Sequence, residues 1–167
     1  MSGPAANPLH DLRQALEHAF GGVTREGGVS WTQSIERDLL AVAGKDFTVA
    51  HREDDRSWRE VAGDPGWDPD AGIGGWAFLD GVGLRYYLAA AMWRSLEGGE
   101  VGCLAWQFRR PLKGASRRRF EDRWTLDAAQ HQVAVRFAAF MLERAFERGD
   151  QSGHDEWEAA ISSWMGG

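Results

Sequence analysis

Residues 82–96 read VGLRYYLAAAMWRSL, and the spacing of their apolar side chains decides the fold. Leu84, Leu88, Met92 and Leu96 recur every four residues, the interval that returns side chains to one face of an α-helix. Tyr87 and Ala91 widen that stripe, so the helix reads as central and largely buried. Gly98-Gly99 ends it.

Further helices follow from the same pattern. Asn7-Pro8 followed by Leu9, Leu12, Leu16 and Phe20 reads as a capped helix that stops at Gly21-Gly22. Ile35, Leu39 and Val42 predict a helix over residues 34–43, with Gly44 as its stop. Thr125 is placed to cap a long helix carrying Leu126, Ala129, Val133, Phe137, Phe140 and Met141, out to Phe146. Trp157, Ile161 and Trp164 share one face of a last short helix. Residues 63–75 (GDPGWDPDAGIGG) are turn-forming. Leu104, Trp106 and Phe108 alternate, which predicts a short strand, and residues 109–123 read as basic and irregular. The expected fold is therefore mostly α. It is one globular domain over residues 1–167, with about five helices and at most one small strand pair near 101–124. Residues 1–8 and 165–167 are expected to be flexible ends, and the 82–96 and 125–146 helices to pack together as the centre.

A chain of 167 residues buries about 70% of its unfolded surface, enough for a core without metals or disulfides. The single cysteine, Cys103, excludes an intramolecular disulfide and fits a reducing compartment. The start has no basic, apolar leader pattern. The longest charge-free stretch is residues 1–10, half of the about 20 apolar residues that a membrane span needs. The reading is a cytoplasmic chain with no membrane association. Scarce Lys beside abundant Arg, Ala and Gly suggests a GC-rich bacterial genome. The net charge of -6 weighs against general nucleic-acid binding, which needs an excess of cations.

Residues 72–92 read GIGGWAFLDGVGLRYYLAAAM. This stretch resembles the signature of a bacterial family of uncharacterised small proteins, a domain of unknown function. There a Gly-Gly turn leads into Phe-Leu-Asp, a Gly, an Arg and an aromatic-Tyr-Leu-Pro-Ala run. The matching positions are Gly74, Gly75, Phe78, Leu79, Asp80, Gly83, Arg85, Tyr86, Tyr87, Leu88 and Ala90, with Ala89 where the family has Pro. Weaker echoes are Asp54, Asp55 and Trp58 on one side and Leu126, Gln130 and Phe137 on the other, so the likeness covers roughly residues 9–147. It implies no activity.

Several constellations bear on chemistry. Asp80, Arg85, Tyr86 and Tyr87 at the start of the central helix suggest a polar site in which Arg85 grips an anion. A structural cap by Asp80 is the favoured alternative. Gly72, Gly74 and Gly75 precede a helix but lack the strand and the Lys-Ser/Thr of a phosphate loop. Asp64, Asp68 and Asp70 read as a turn, not a cation site, since Pro65 and Pro69 interrupt them. The five histidines (His10, His18, His51, His131 and His154) show no zinc spacing, so neither a metal nor a cofactor is expected. Cys103 has no nucleophile motif around it and reads as a small packed residue.

Residues 109–123 carry seven Arg or Lys against two acids, a balance of +5 that leaves -11 for the rest. Arg117, Arg118 and Arg119 beside Phe120 and Trp124 suggest a grip on a phosphate backbone. A solvated loop, or one that docks an acidic partner, is favoured over it. Nine Trp against two Tyr is the compositional anomaly. Trp93, Trp106, Trp157 and Trp164 are expected in the core or an interface, and Trp67, between Gly66 and Asp68, to be the most exposed. If Trp67, Trp76 and Trp124 meet on one surface, that surface is the expected binding site. The reading is a non-catalytic binding or protein-interaction module, with a protein partner or a homodimer both open. The alternatives are a small enzyme at Asp80, Arg85 and Tyr86, and a nucleic-acid binder at Arg117–Arg119.

Overall fold

The structure is a computed structural model that describes residues 7–43, 56–70 and 75–165. Gly44, the acidic run at 53–55, His51, Gly72 and Gly74 lie outside the described residues. So do most of the expected flexible ends, although Pro8 opens the first helix and Met165 closes the last.

Eight α-helices are present among the described residues: α1 (Pro8–Phe20), α2 (Trp31–Ala43), α3 (Trp58–Gly63), α4 (Gly81–Leu96), α5 (Leu104–Phe108), α6 (Gly114–Arg123), α7 (Ala128–Arg148) and α8 (Gln151–Met165). A 3-10 turn spans Gly75–Phe78. The mostly α expectation holds, with more and shorter helices than about five. In α4 eleven of sixteen residues are buried, including Tyr86, Tyr87 and the small run Ala89–Ala91. A helix apolar on all sides must be covered on all sides. Here α1, α3 and α6 pack on it. The expected direct pairing of α4 with the long helix is not among the main contacts: α7 packs chiefly on α8 and α1, and α1 bridges it to α4. Arg144 of α7 also donates to the Ser95 carbonyl at 3.0 Å.

The cap of α1 is as expected, with Asn7 accepting from the His10 amide. Two other helix starts differ. Ser30 and Gln33 exchange hydrogen bonds, so α2 begins at Trp31, three residues early. Asp127, not Thr125, caps α7, in a box with Gln130. Thr125 instead donates to the Gly81 carbonyl, tying α7 to the start of α4.

The expected strand pair near 101–124 is absent; both halves are helical. In α5 Leu104, Ala105 and Phe108 face the core while Trp106 is 57% exposed. Three alternating apolar residues fit either period over so short a run, and one helical turn reverses the orientation of the middle one. α6 has no buried residue, so its sequence carries no apolar stripe to read.

The signature positions are joints of this architecture. Asp80 caps α4 by accepting from the Gly83 amide at 2.8 Å and also accepts from Val29 at 3.1 Å. At Gly83 a Cβ would sit 2.4 Å from the Val29 carbonyl. Gly75 has φ +31°, and a Cβ there would lie 2.5 Å from the Trp31 ring. The stretch thus docks the start of α2 onto α4.

Candidate functional site

The four residues expected to make a polar site do not form one. Tyr86 and Tyr87 have no exposed surface. Tyr86 donates its hydroxyl to the Arg56 carbonyl, and the Tyr87 oxygen accepts from the Trp31 amide at 2.8 Å. Asp80 is engaged at the helix cap. Arg85 is half-buried on α4, its Nε has no hydrogen-bond partner, and it forms no ion pair with Asp80. What resembles chemistry in the sequence is joinery between α2, α3 and α4.

The three tryptophans do not meet either. Trp67, expected to be the most exposed, is 5% exposed. Trp31 stands edge-on to it at 5.4 Å, and the Arg94 guanidinium covers it at 4.7 Å. Trp76 stands edge-on to the same Trp31 at 5.1 Å and is buried. Trp124 belongs to a second cluster, stacked on Phe120 at 5.2 Å and edge-on to Phe108 at 5.6 Å. A local reading of the Gly/Pro loop could not reveal a hub placed far earlier in the chain.

The acidic turn is tied down within the protein. Asp64 accepts from Gly66 and pairs with Arg56. Asp70 accepts from the amides of Gly102 and Cys103, both at 2.9 Å. Burial alone would raise the Asp70 carboxyl. The hydrogen bonds from Cys103 and Gly102, with the Arg94 charge, outweigh it and hold the group below its usual range. Burial pushes the Cys103 thiol up to about 12, with Asp70 adding to the effect. A thiol so protonated is a poor nucleophile. On α8 His154, Asp155 and Glu158 bring ligand-type atoms within 4.8 Å of one another, with both carboxylates exposed. Exposed side chains of this kind are ordinary on a helix surface.

In the basic segment aromatic and charged groups reach solvent together. Glu121 takes hydrogen bonds from Arg117 at 2.6 Å and Arg110 at 2.9 Å, which hold its carboxyl below the usual range. Arg123 turns inward and donates to the Trp76 carbonyl. Burial lowers its affinity for the proton, and it pairs with no carboxylate among the described residues. Arg118 and Arg119 are exposed and enter no ion pair among the described residues. Arg109 lies over the Trp106 ring at 4.4 Å. Between α4, α5 and α6 lies an open groove of about 240 Å³, floored by Leu84 and Phe120 and walled by Trp106, Arg119 and Arg123. Leu112, in the segment leading into α6, is 75% exposed. Sequence reasoning reaches Arg119 and Phe120 and leaves Trp106 open between core and interface. Only a helical turn over 104–108 puts that ring on the outside.

A second cleft, of about 190 Å³, opens between α7 and α8 beside Trp124, Trp164 and Val135. There Trp124 Nε1 donates to His131 Nδ1 at 3.2 Å. No helix among the described residues is long and apolar enough to cross a membrane. Compared with known proteins, the chain matches no family model, no curated protein and no solved structure.

Proposed function

We propose that this is a non-catalytic protein-interaction module of the bacterial cytoplasm whose contact face is built by α5, α6 and the segment between them. The observation that carries the reading is Trp106. It is 57% exposed on a helical turn whose other apolar residues are buried, and it borders a groove with an apolar floor. Large aromatics at the rim of a notch are the residues that dominate protein interfaces. The groove's 240 Å³ is below the roughly 300–1,000 Å³ of small-molecule sites, which suits a partner's side chain better than a free ligand.

Two observations weigh against the other readings. Tyr86 and Tyr87 are shut away from solvent, so an enzyme at Asp80 and Arg85 lacks the hydroxyls it needs. Of the seven cations in 109–123, Arg110 and Arg117 share the one Glu121 carboxylate and Arg109 covers Trp106. That leaves Lys113, Arg118, Arg119 and Arg123 for phosphates, a weak footprint on a chain of net charge -6. Kinship with the family that shares the Gly-Gly…Phe-Leu-Asp signature is part of this proposal. Since Gly75, Asp80 and Gly83 serve as joints here, that kinship speaks to architecture and adds no activity.

The test is selection of short peptides from a displayed random library on the immobilised chain, repeated with Trp106→Ala. Peptides that bind the native chain and lose tenfold or more on the variant support the reading. No enrichment, or binding indifferent to Trp106, overturns it.

A further inference from the structure

Resting on that reading, we infer that the groove takes an acidic peptide segment bearing one apolar side chain. The apolar side chain enters between Trp106 and Phe120, over Leu84. Flanking carboxylates meet Arg119 and Arg123.

Arg123 is a cation short of counter-charge. It is partly buried, its Nε has no hydrogen-bond partner, and its one hydrogen bond goes to a carbonyl, not a carboxylate. Taking a guanidinium out of water without a counter-charge is unfavourable, and one partner removes the deficit. In this segment Glu121 already serves Arg110 and Arg117, and among the described residues no acid pairs with Arg123. Its charge therefore remains unmatched where it lines the groove. Arg119 stands beside it, exposed and also unpaired among the described residues. Gln107 and Ser116, on the same wall, can bond the backbone of an extended segment.

Charge complementarity then selects among partners. The segment 109–123 carries +5 on a chain that is otherwise -11, so its charge favours an acidic segment over a basic one. Such a field brings an acidic segment in one orientation. A nucleic acid would meet the same face but also the surrounding negative surface along its length. Arg109 already occupies one face of Trp106, which removes that face from base stacking.

The test is fluorescence anisotropy with four labelled molecules at low and physiological salt. They are a Glu/Asp peptide with one central Leu, its Gln/Asn isostere, the acidic peptide with Leu replaced by Gly, and oligothymidine. The Glu/Asp-Leu peptide is expected to bind at least tenfold tighter than either control peptide, and to weaken as salt rises. Arg119→Gln should weaken it about tenfold. Arg119 is exposed and enters no ion pair among the described residues, so this variant remains informative if Arg123→Gln fails to fold. Equal binding of the Gln/Asn isostere overturns the acidic partner and leaves the interaction face standing. Silence from every peptide overturns the acidic segment, while the library selection decides the interaction face separately. Tighter oligothymidine binding overturns the proposal in favour of nucleic acid. A dimer in sedimentation that Trp106→Ala dissolves overturns it in favour of a second copy of the chain.

Discussion

Arg94 lies over the indole of Trp67, 4.7 Å from its centroid, and donates to the Trp67 carbonyl at 2.6 Å. The same guanidinium donates to the carbonyls of Ala62 at 2.8 Å, Asp64 at 2.5 Å and Val61 at 3.3 Å. One side chain from the end of α4 thus satisfies the open end of α3 and clamps the turn that follows. Carbonyls at a helix end need partners, and a planar cation supplies several at once.

Arg94→Met keeps the stem and removes those donors. Hydrogen bonds to a charged group are worth about 1.5–3 kcal/mol each, but neighbours in one network are not additive. The expected loss is about 3 kcal/mol, read as a lower urea midpoint at unchanged slope. A loss below about 1 kcal/mol would mean that α3 and its turn stay in place through apolar packing alone.

Trp31 is the hub of the first aromatic cluster, in contact with Trp67, Trp76 and Tyr87 at 5.1–5.4 Å. Trp31→Ala should therefore lower stability by about 3–5 kcal/mol. Gly75→Ala tests the same joint from the other side, because its Cβ would press on that indole. It should be destabilising although it adds only a methyl group. Near-ultraviolet dichroism, which reports the packing of aromatic rings, should fall in both variants. A Gly75→Ala chain as stable as the native one would show that the joint has room.

These joints also mark what sequence can and cannot reveal. Residues 82–96 announce α4 because an all-round apolar helix repeats its signal every turn. The first helix is legible from Asn7-Pro8 and a four-residue spacing. α3, α5 and α6 are not. Two of them are five or six residues long, too short to show a period, and the third lies on the surface with nothing buried. The site is harder still. Asp80, Tyr86 and Tyr87 look like chemistry because polar groups near glycines often are, yet their partners are backbone groups distant in sequence. Trp67 looks exposed between Gly66 and Asp68, and only tertiary contact with Trp31 and Arg94 covers it. The strand reading of 104–108 fails for another reason, since three residues cannot tell a period of two from a helical turn.

Cys103 should be nearly inert in the folded chain. Its thiol is raised from 9.0 to about 12, so at pH 8 roughly one molecule in ten thousand carries the thiolate. Alkylation by iodoacetamide should be about a thousandfold slower than in the urea-unfolded chain. The sign for stability follows: a group raised in the fold contributes fully below its unfolded value, and that contribution fades as pH climbs from about 9 toward 12. Asp70 works in the other direction. Lowered in the fold, it contributes above the ordinary carboxylate range, and that contribution fades as pH falls through its folded value. Asp70→Asn should flatten the acid limb of the stability curve. Comparable alkylation rates in the folded and unfolded chains would show that Cys103 opens to solvent.

Glu121 decides how basic the exposed face is in practice. It binds Arg110 and Arg117 together, so two of the seven cations in 109–123 are turned onto the protein's own carboxylate. Glu121→Gln releases both and removes one negative charge. If the supply of cations limits the hold of this face on nucleic acid, the variant should bind single strands more tightly than the native chain. Each phosphate contact adds about 0.7 to the salt slope for a single strand, so two freed arginines should add roughly 1.4. Titration of oligothymidine at several salt concentrations measures that slope. A variant whose binding and salt slope match those of the native chain would show that shape, with Arg109 already seated on Trp106, limits the strand regardless of charge.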